Sequence, residues 1–361
     1  MLEGLESVDW TAWDNSERRT PDLIRALISQ GPGARSQARD RLFGSQQDFG
    51  EIDSQTPYLV PFLLELLGFP QTPDKPEILD YLEAVAEHLV RKPDRALPRQ
   101  GLVERMRLQL SCYDAVAAGV SIFIPLLDEA DHRVRLYSGR LLSRLPDQAE
   151  HTFPALIRRL QREPDERIQA ALLGYLQDLY QTADYAHMML MLMSGPLIQT
   201  FTETSPSIEV RTAAAKLSLA VGFANIPQPP FDDLFQSFRS LQQGQRGYYD
   251  LLQTLARHYP DAFAAALQSP ALTPQQAHMI VFALLTKGED LLSTYFSLSH
   301  QEDGLGIFYA PRRARSPRST TSILQAIVDA DVVWQIPTNV FSVLHGLPDS
   351  RAALQAWIDT R

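Results

Sequence analysis

The chain has 361 residues, with 43 acidic residues against 33 basic ones and a net charge of −10. This balance excludes a polybasic nucleic-acid tail and argues against general binding of polyanions. Apolar residues make up 45% of the chain and charged residues 21%, which excludes an intrinsically disordered chain and is typical of a globular protein.

Cysteine content and polarity indicate the cellular compartment of the protein and the types of site it can contain. Because Cys112 is the single cysteine, an intramolecular disulfide and any metal site built from several cysteines are excluded. Residues 1–16 are acidic and lack an apolar core, so we expect no signal peptide there. The least polar stretch, residues 115–127, is too short to span a bilayer. These features predict a cytoplasmic protein that does not bind membranes.

Helical periodicity runs along almost the whole chain, and strand-like alternation is hard to find. Four short apolar helices are predicted in the first half, several with a Pro near the start, where a missing N–H costs little. They cover residues 22–27, 58–67, 122–127 and 153–160. Each is followed by a polar break and then by a second, amphipathic helix.

The second helices align with one another. Segments that begin at Asp131, Asp165 and Ser207 share one pattern and are spaced by 34 and 42 residues. Earlier copies begin at Gly33 and Lys75. A helix pair that recurs with a period of roughly 30–45 residues predicts an all-α fold, namely a right-handed α-solenoid of stacked helix pairs.

The segment 132–145 shows why stacking is expected. Its apolar face consists of Val134, Ser138, Leu141, Leu142 and Leu145. One helix pair alone cannot bury such a stripe, whereas neighbouring pairs that stack on it can. Several repeats are therefore needed for a stable fold.

These segments resemble the HEAT-repeat family, in particular its bacterial members. The resemblance rests on a Pro that recurs in the first helices and on the Asp-x-x-Val-Arg pattern at residues 131–135, which starts a second helix. The recurring Pro residues are Pro61, Pro125 and Pro154. The resemblance covers about residues 20–222. At Gln169 the family has Arg, which weakens a continuous Asp/Arg ladder there.

After residue 222 the pattern is less regular. Helices are predicted there at residues 231–241, 248–258, 261–267, 274–285, 290–298, 322–330, 337–344 and 350–358. We interpret residues 1–19 as an N-terminal cap segment, 20–222 as HEAT-like repeats, and 223–361 as divergent repeats that continue the solenoid. Residues 300–320 are predicted to form a polar loop, long enough to be functional or disordered. A separate C-terminal helical domain is the alternative.

A charged row on the second helices is the candidate binding surface. Arg133, Tyr137, Arg140 and Arg144 fall on one side of their helix, opposite the apolar stripe. Resemblance to HEAT-like proteins implies that this side lines a concave groove, with mixed charge and a basic centre; a solvated helix face is the alternative. The predicted partner-binding residues are Arg133, Tyr137, Arg140, Arg144, Arg167, Asp178 and Lys216. The equivalent positions one repeat earlier are Glu77, Tyr81, Ala84 and His88.

A second set of arginines recurs at one repeat position. Arg35, Arg135 and Arg211 would form either a row for an acidic partner or an intramolecular ladder to the preceding turn, and recurrence at a structural position favours the ladder. The basic segment 91–107 is interpreted as a partly looped, solvated connection, with binding of an acidic partner as the alternative. Four tryptophans near the ends are expected to cap the core: Trp10, Trp13, Trp334 and Trp357.

Catalysis has little support in the sequence. The eight histidines are scattered singly, and the motifs of zinc proteases, phosphate-binding loops and dinucleotide sites do not occur. We therefore predict no cofactor and no metal, and a non-enzymatic scaffold or adaptor that binds a protein. Alternatives implied by the family are a DNA glycosylase and a lyase or maturation factor. The net charge and the terminal tryptophans count against nucleic acid.

Overall fold

The structure is a computed structural model. It describes residues 2–13, 19–49, 52–87, 99–182, 194–221, 231–241, 247–285, 320–335 and 350–360. In these ranges the regular structure is helical, and no described residue lies in a β-strand. The all-α prediction is confirmed. The chain divides into two compact units: unit 1 is Met1–Phe201 with Ala220–Ala224, and unit 2 is Thr202–Leu219 with Asn225–Arg361.

Nine helices of the described chain belong to unit 1. They are α1 (Thr20–Ala26), α2 (Pro32–Phe49), α3 (Thr56–Leu67), α4 (Lys75–Glu87), α5 (Arg99–Ala117), α6 (Val120–Leu126), α7 (His132–Ser143), α8 (Ala149–Arg162) and α9 (Glu166–Thr182). Two further helices, α10 (Gly195–Thr204) and α11 (Ile208–Val221), each contain residues of both units. Unit 2 also holds α12 (Phe231–Ser240), α13 (Tyr248–His258), α14 (Pro260–Ala265), α15 (Pro274–Leu285), α16 (Thr320–Asp329) and α17 (Arg351–Asp359).

Helices of unit 1 pack in two layers. In the second-helix layer, α2 packs on α4, α4 on α7, and α7 on α9. In the first-helix layer, α3 packs on α5 and α6 packs on α8. The layers meet where each second helix packs on the helix before it, as α7 does on α6 and α9 on α8.

The apolar stripe of α7 lies between these layers, as its spacing predicts. Its five residues are all buried: Val134, Ser138, Leu141, Leu142 and Leu145. A close approach to α9 depends on Gly139, because a Cβ there would lie 3.1 Å from Leu172 Cδ2 and 3.2 Å from Tyr175 Cδ2. Hydrophobic burial and close packing therefore hold α7 against its neighbour.

The α5–α6 junction corrects part of the sequence interpretation. Residues 99–107, interpreted as part of a solvated connection, belong to α5, while residues 91–98 lie outside the described chain. The chain turns between α5 and α6 at Gly119, where a Cβ would lie 2.5 Å from Leu64 Cδ2. Only a glycine lets the junction approach α3 this closely.

No single helix in the described ranges is long and apolar enough to cross a membrane. Val103–Ala117 and Val120–Leu126 pass that test only as a pair, which is bent by 51°.

Trp10 and Trp13 pack at the start of unit 1. The Trp10 ring is 5% exposed, its centroid lies 6.1 Å from that of Phe62, and its Nε1–H donates to Leu5 O at 2.8 Å. The centroid of Trp13 lies 5.2 Å from that of Tyr58. Both rings thus pack against residues of α3, as a cap on the first helices requires.

An aromatic cluster forms the centre of unit 2. Its rings, with neighbouring centroids 5.1–6.4 Å apart, are Phe231, Phe235, Phe238, Tyr248, Tyr259 and Phe263. Trp334 and Trp357 pack on the same core, and Trp334 Nε1–H donates to Ile327 O at 3.0 Å. Edge-to-face and stacked contacts between these rings add to the packing of the aliphatic residues in the same core.

The predicted C-terminal helices can be compared with the described ones. Six are found within a few residues of their predicted bounds, as α12 to α17. The helices predicted at 290–298 and 337–344 lie outside the described residues, as does the 300–320 loop except for residue 320, where α16 begins. Whether residues 223–361 continue one solenoid stays a prediction.

Candidate partner-binding surface

One side of the second-helix layer carries the predicted binding residues of unit 1. We call this the charged face and define it by Glu77, Asp80, Glu83, Arg133, Tyr137, Arg140, Arg144, Arg167 and Asp178. Capping sets the start of α7, because Asp131 Oδ1 accepts the Arg133 backbone N–H at 2.8 Å. From this start, spacings of 4, 3 and 4 place the arginines on one side of the helix.

Carboxylates of α4 bind three of these arginines, and the first two are Arg133 and Arg140. Arg133 Nη2 lies 2.9 Å from Glu77 Oε1. Arg140 Nη1 lies 3.5 Å from Asp80 Oδ1, and its Nη2 lies 2.9 Å from Glu83 Oε2. Because α4 and α7 are neighbours in the layer, each contact joins two successive helix pairs.

Glu83 is the buried centre of the charged face. Its side chain is 2% exposed, and it accepts from Arg144 Nε at 3.0 Å as well as from Arg140. Arg144 also lies 3.4 Å from Asp178 Oδ2 on α9. Burial acts to lower the pKa of Arg144, but Glu83 and Asp178 outweigh it and raise the pKa. A buried carboxylate is tolerated here because two guanidinium groups compensate its charge.

These contacts correct the expected basic centre. Every arginine of α7 on this face has a carboxylate partner, so the centre carries paired charges of both signs. The equivalent positions on α4 also differ from the predicted ones. Tyr81 is 3% exposed and stacks on Phe43 with centroids 4.2 Å apart, so it belongs to the core. His88 lies outside the described residues.

The remaining predicted residues lie in different surroundings. Tyr137 is half-buried on α7, and Arg167 is exposed in the first turn of α9. Near them the surface is open at Gly174, where an added Cβ would meet no atom within 4 Å. Lys216 belongs to unit 2, where its Nζ lies 3.4 Å from Asp250 Oδ2. Six of the seven predicted residues therefore share unit 1.

Arg135 shows what the second set of arginines does. Its Nη1 donates to the carbonyls of Glu129 and Ala130, at 3.0 and 2.9 Å. Its Nε and Nη2 donate to Glu163 at 3.0 and 3.1 Å. Arg159 Nη2 donates to the same carboxylate at 2.8 Å, and the Glu163 side chain is fully buried. One guanidinium thus fixes the turn before α7 and holds the turn before α9.

Arg35 and Arg211 repeat this arrangement. Both donate through Nη1 to the carbonyls six and five residues earlier, at distances between 2.9 and 3.3 Å. Their Nε groups donate to Asp74 and Asp233, each at 2.8 Å. The intramolecular ladder is therefore confirmed. At the same position Gln169 donates only to the carbonyl six residues earlier, that of Glu163, at 2.6 Å. Its amide is too short to reach a carboxylate on the next helix pair as well.

The single cysteine lies in the core and not on the charged face. Cys112 is fully buried, and burial raises the pKa of its thiol to about 12, so it is a core residue. Among the described residues, no group of three or more His, Cys, Asp and Glu side chains is arranged to hold a metal ion.

Comparisons with known proteins add little to this geometry. No protein-family profile matches the chain, and no curated protein sequence matches it. Crystal structures of two engineered proteins are similar to it, with TM-scores of 0.40 and 0.38 and sequence identities of 16% and 14%. They cover 74% and 95% of this chain, and 97% and 99% of their own. Scores this low establish no shared fold or function.

Proposed function

We propose that the chain is a non-enzymatic scaffold of the HEAT-like kind, with its helix pairs stacked as a solenoid in the cytoplasm. Its charged face would hold a protein partner. The observation that carries the proposal is the ion pairing between successive second helices, at Glu77, Glu83 and Asp178. Long side chains that are already fixed lose less conformational entropy when a partner binds.

The pairing also indicates what kind of partner fits. Arg133 is half exposed beside Glu77, and Asp80 is 40% exposed beside Arg140, so both signs of charge reach the solvent within one patch. A partner with charges of both signs in a complementary order would bind, whereas a uniformly basic or acidic surface would meet like charges. The net charge of −10 would speed the approach of a partner whose net charge is positive. The local pattern would then select a partner whose binding surface carries charges of both signs.

The test requires variants that alter the face but leave its buried centre intact. Arg140 and Arg144 are unsuitable, because both bind the buried carboxylate of Glu83. We choose Arg133→Glu combined with Arg167→Glu, since both side chains are exposed. The matched control is Arg162→Glu, an exposed arginine at the end of α8 in the first-helix layer.

Each form would be used to recover partners from native lysate, with quantification by mass spectrometry. We expect the double variant to lose its most abundant partner by about tenfold or more, which corresponds to about 1.4 kcal/mol. The control should recover it unchanged, with equal circular dichroism for all three proteins. Equal recovery by the double variant would refute the assignment of the charged face. Salt-sensitive binding of duplex DNA would instead favour the glycosylase alternative.

A further inference from the structure

A stripe of exposed apolar side chains runs along the first half of α5. Val103, Met106 and Leu110 are 48%, 48% and 47% exposed, and among the described residues they are three of the four large hydrophobic side chains that are exposed. Their spacing of 3 and 4 puts them on one face of the helix. Single exposed apolar residues are ordinary on a protein surface, whereas apolar side chains grouped on one helix face have the spacing with which a partner helix is bound.

The same face continues into a cleft. Asp114 and Ala117 follow Leu110 at spacings of 4 and 3, and both line a cleft of about 870 Å³ formed by α5, α6 and α8. Its apolar walls are Ala117, Ala118, Val120, Ile124 and Pro154. From Val103 to Ala117 the stripe and the cleft extend over about 21 Å, the length of a four-turn helix.

Charge differs between the two ends of this surface. Arg107 is exposed beside the stripe, one turn from both Val103 and Leu110. At the cleft end, Asp114 and Glu150 are exposed carboxylates, while Arg158 is the single arginine among the lining residues. A ligand that carries a carboxylate at one end and a cation at the other would find both partners.

We propose that this surface, which we call the outer groove, binds one amphipathic α-helix of a protein partner. Apolar side chains of that helix at positions i, i+3 or i+4 and i+7 would cover Val103, Met106 and Leu110. An acidic residue would face Arg107, and a basic residue would face Asp114 and Glu150. The outer groove belongs to α5, α6 and α8, so it is independent of the charged face on α4, α7 and α9.

A displayed peptide library tests this proposal directly. The probe is a phage library of 20-residue helical peptides, selected against the full chain, and the best peptide is then synthesised with a fluorescent label. We expect enriched peptides to share the apolar spacing and the two opposite charged ends. Binding measured by fluorescence anisotropy should weaken at least tenfold for Leu110→Asp. Arg105→Asp, an exposed change further round the same helix, should leave the affinity unchanged.

A charge exchange tests the direction of the bound helix. Arg107→Glu should weaken the selected peptide several-fold, and a peptide whose acidic residue is replaced by Lys should bind this variant better than it binds the original chain. Because all the substituted side chains are exposed, each variant should melt at the original temperature.

Three results would overturn the proposal. The first is a selection that enriches no helical peptide. The second is a Leu110→Asp variant that binds the selected peptide as tightly as the original chain does. The third is binding of the chain, through Leu110, to vesicles of phosphatidylserine and phosphatidylcholine. Stripe-dependent vesicle binding would assign the surface to a membrane. None of these results bears on the charged face, whose test uses other variants.

Discussion

In unit 1, two fully buried carboxylates bind arginines of neighbouring helices, whereas in unit 2 the paired carboxylates Asp233, Asp250 and Asp331 are partly or largely exposed and aromatic rings pack together in the core. Glu83 binds Arg140 and Arg144, and Glu163, which follows α8 directly, binds Arg135 of α7 and Arg159 of α8. In unit 2, Phe238 alone contacts three other rings of its cluster. Charged contacts are directional and set the register between helices, while ring contacts supply buried area and tolerate more than one orientation.

The largest expected effect lies in the aromatic cluster of unit 2. Phe238 is fully buried, so Phe238→Ala should lower the free energy of unfolding of unit 2 by about 4 kcal/mol, through lost burial and an unfilled cavity. Hydrogen exchange of peptides from α12 and α13, measured in increasing urea, reports this unit separately. Gln236→Ala, an exposed change on the same helix, is the control. A loss below about 1 kcal/mol would contradict the central role of the ring.

In unit 1 the corresponding substitution is Glu163→Gln, which removes a buried charge and keeps the side-chain volume. Glu163→Gln leaves Arg135, which is 11% exposed, without a compensating carboxylate, while Arg159 keeps only its contact to the exposed Asp128. We expect unit 1 to lose about 3 kcal/mol, measured by hydrogen exchange of α7 and α9 peptides. Glu104→Gln on the exposed side of α5 should be neutral. Equal stability of the two variants would show that packing alone holds unit 1 together.

Two glycines of unit 1 should respond in opposite directions to replacement by Ala. Gly139→Ala should destabilise by about 1–2 kcal/mol, because the new Cβ would press on Leu172 and Tyr175. Gly174→Ala should instead stabilise by about 0.5–1 kcal/mol, because its position is open and Ala is the better helix former. Thermal unfolding of both variants checks this. Effects of the same sign would mean that the α7–α9 spacing does not depend on Gly139.

The two units should also differ, by a smaller amount, in how their free energy of unfolding depends on pH. Burial lowers the pKa of His278, and burial together with Arg257 lowers the pKa of His258, both in unit 2. Since the unfolded chain then takes up protons first, unit 2 keeps its full stability above the ordinary histidine pKa of 6.5 and loses it as the pH falls toward the folded values.

In unit 1 the titrating group is Glu163. Burial acts to raise its pKa, but hydrogen bonds from Arg135, the Asp165 N–H and Arg159 outweigh burial and lower the pKa below 4.5. Its contribution is therefore present above pH 4.5 and is lost only as the pH falls further. Lowering the pH from 7.5 to 5.5 should reduce the free energy of unfolding of unit 2 alone, as measured by hydrogen exchange at both pH values. His278→Gln should make this reduction smaller. Equal loss in both units would contradict this order.

Local pattern was sufficient where one helix determines the outcome. The stripe of α7, its cap at Asp131 and the ladder position of Arg135 all follow from spacing within a single segment. Such features could be predicted because helical periodicity and side-chain reach are properties of the local chain.

Contacts between segments could not be predicted in this way. Glu83 is buried because two arginines more than fifty residues later reach it, and nothing near Glu83 in sequence signals them. The register of α4 went wrong for the same reason, since Tyr81 turns toward Phe43 and leaves Asp80 on the charged face. Pairing across helices depends on how the helices are set against one another, and the pattern within one segment does not contain that information.

The ladder has a consequence for how such a chain can change length. Arg35, Arg135 and Arg211 each reach back to carbonyls six and five residues earlier, and Gln169 also reaches back six. An insertion or deletion inside that short turn would disconnect the side chain from its acceptors. Successive copies are nevertheless spaced by 34 and 42 residues, so residues have been gained or lost in the other connections. At these four second helices the preceding turn keeps a constant length, and only the other connections can lengthen.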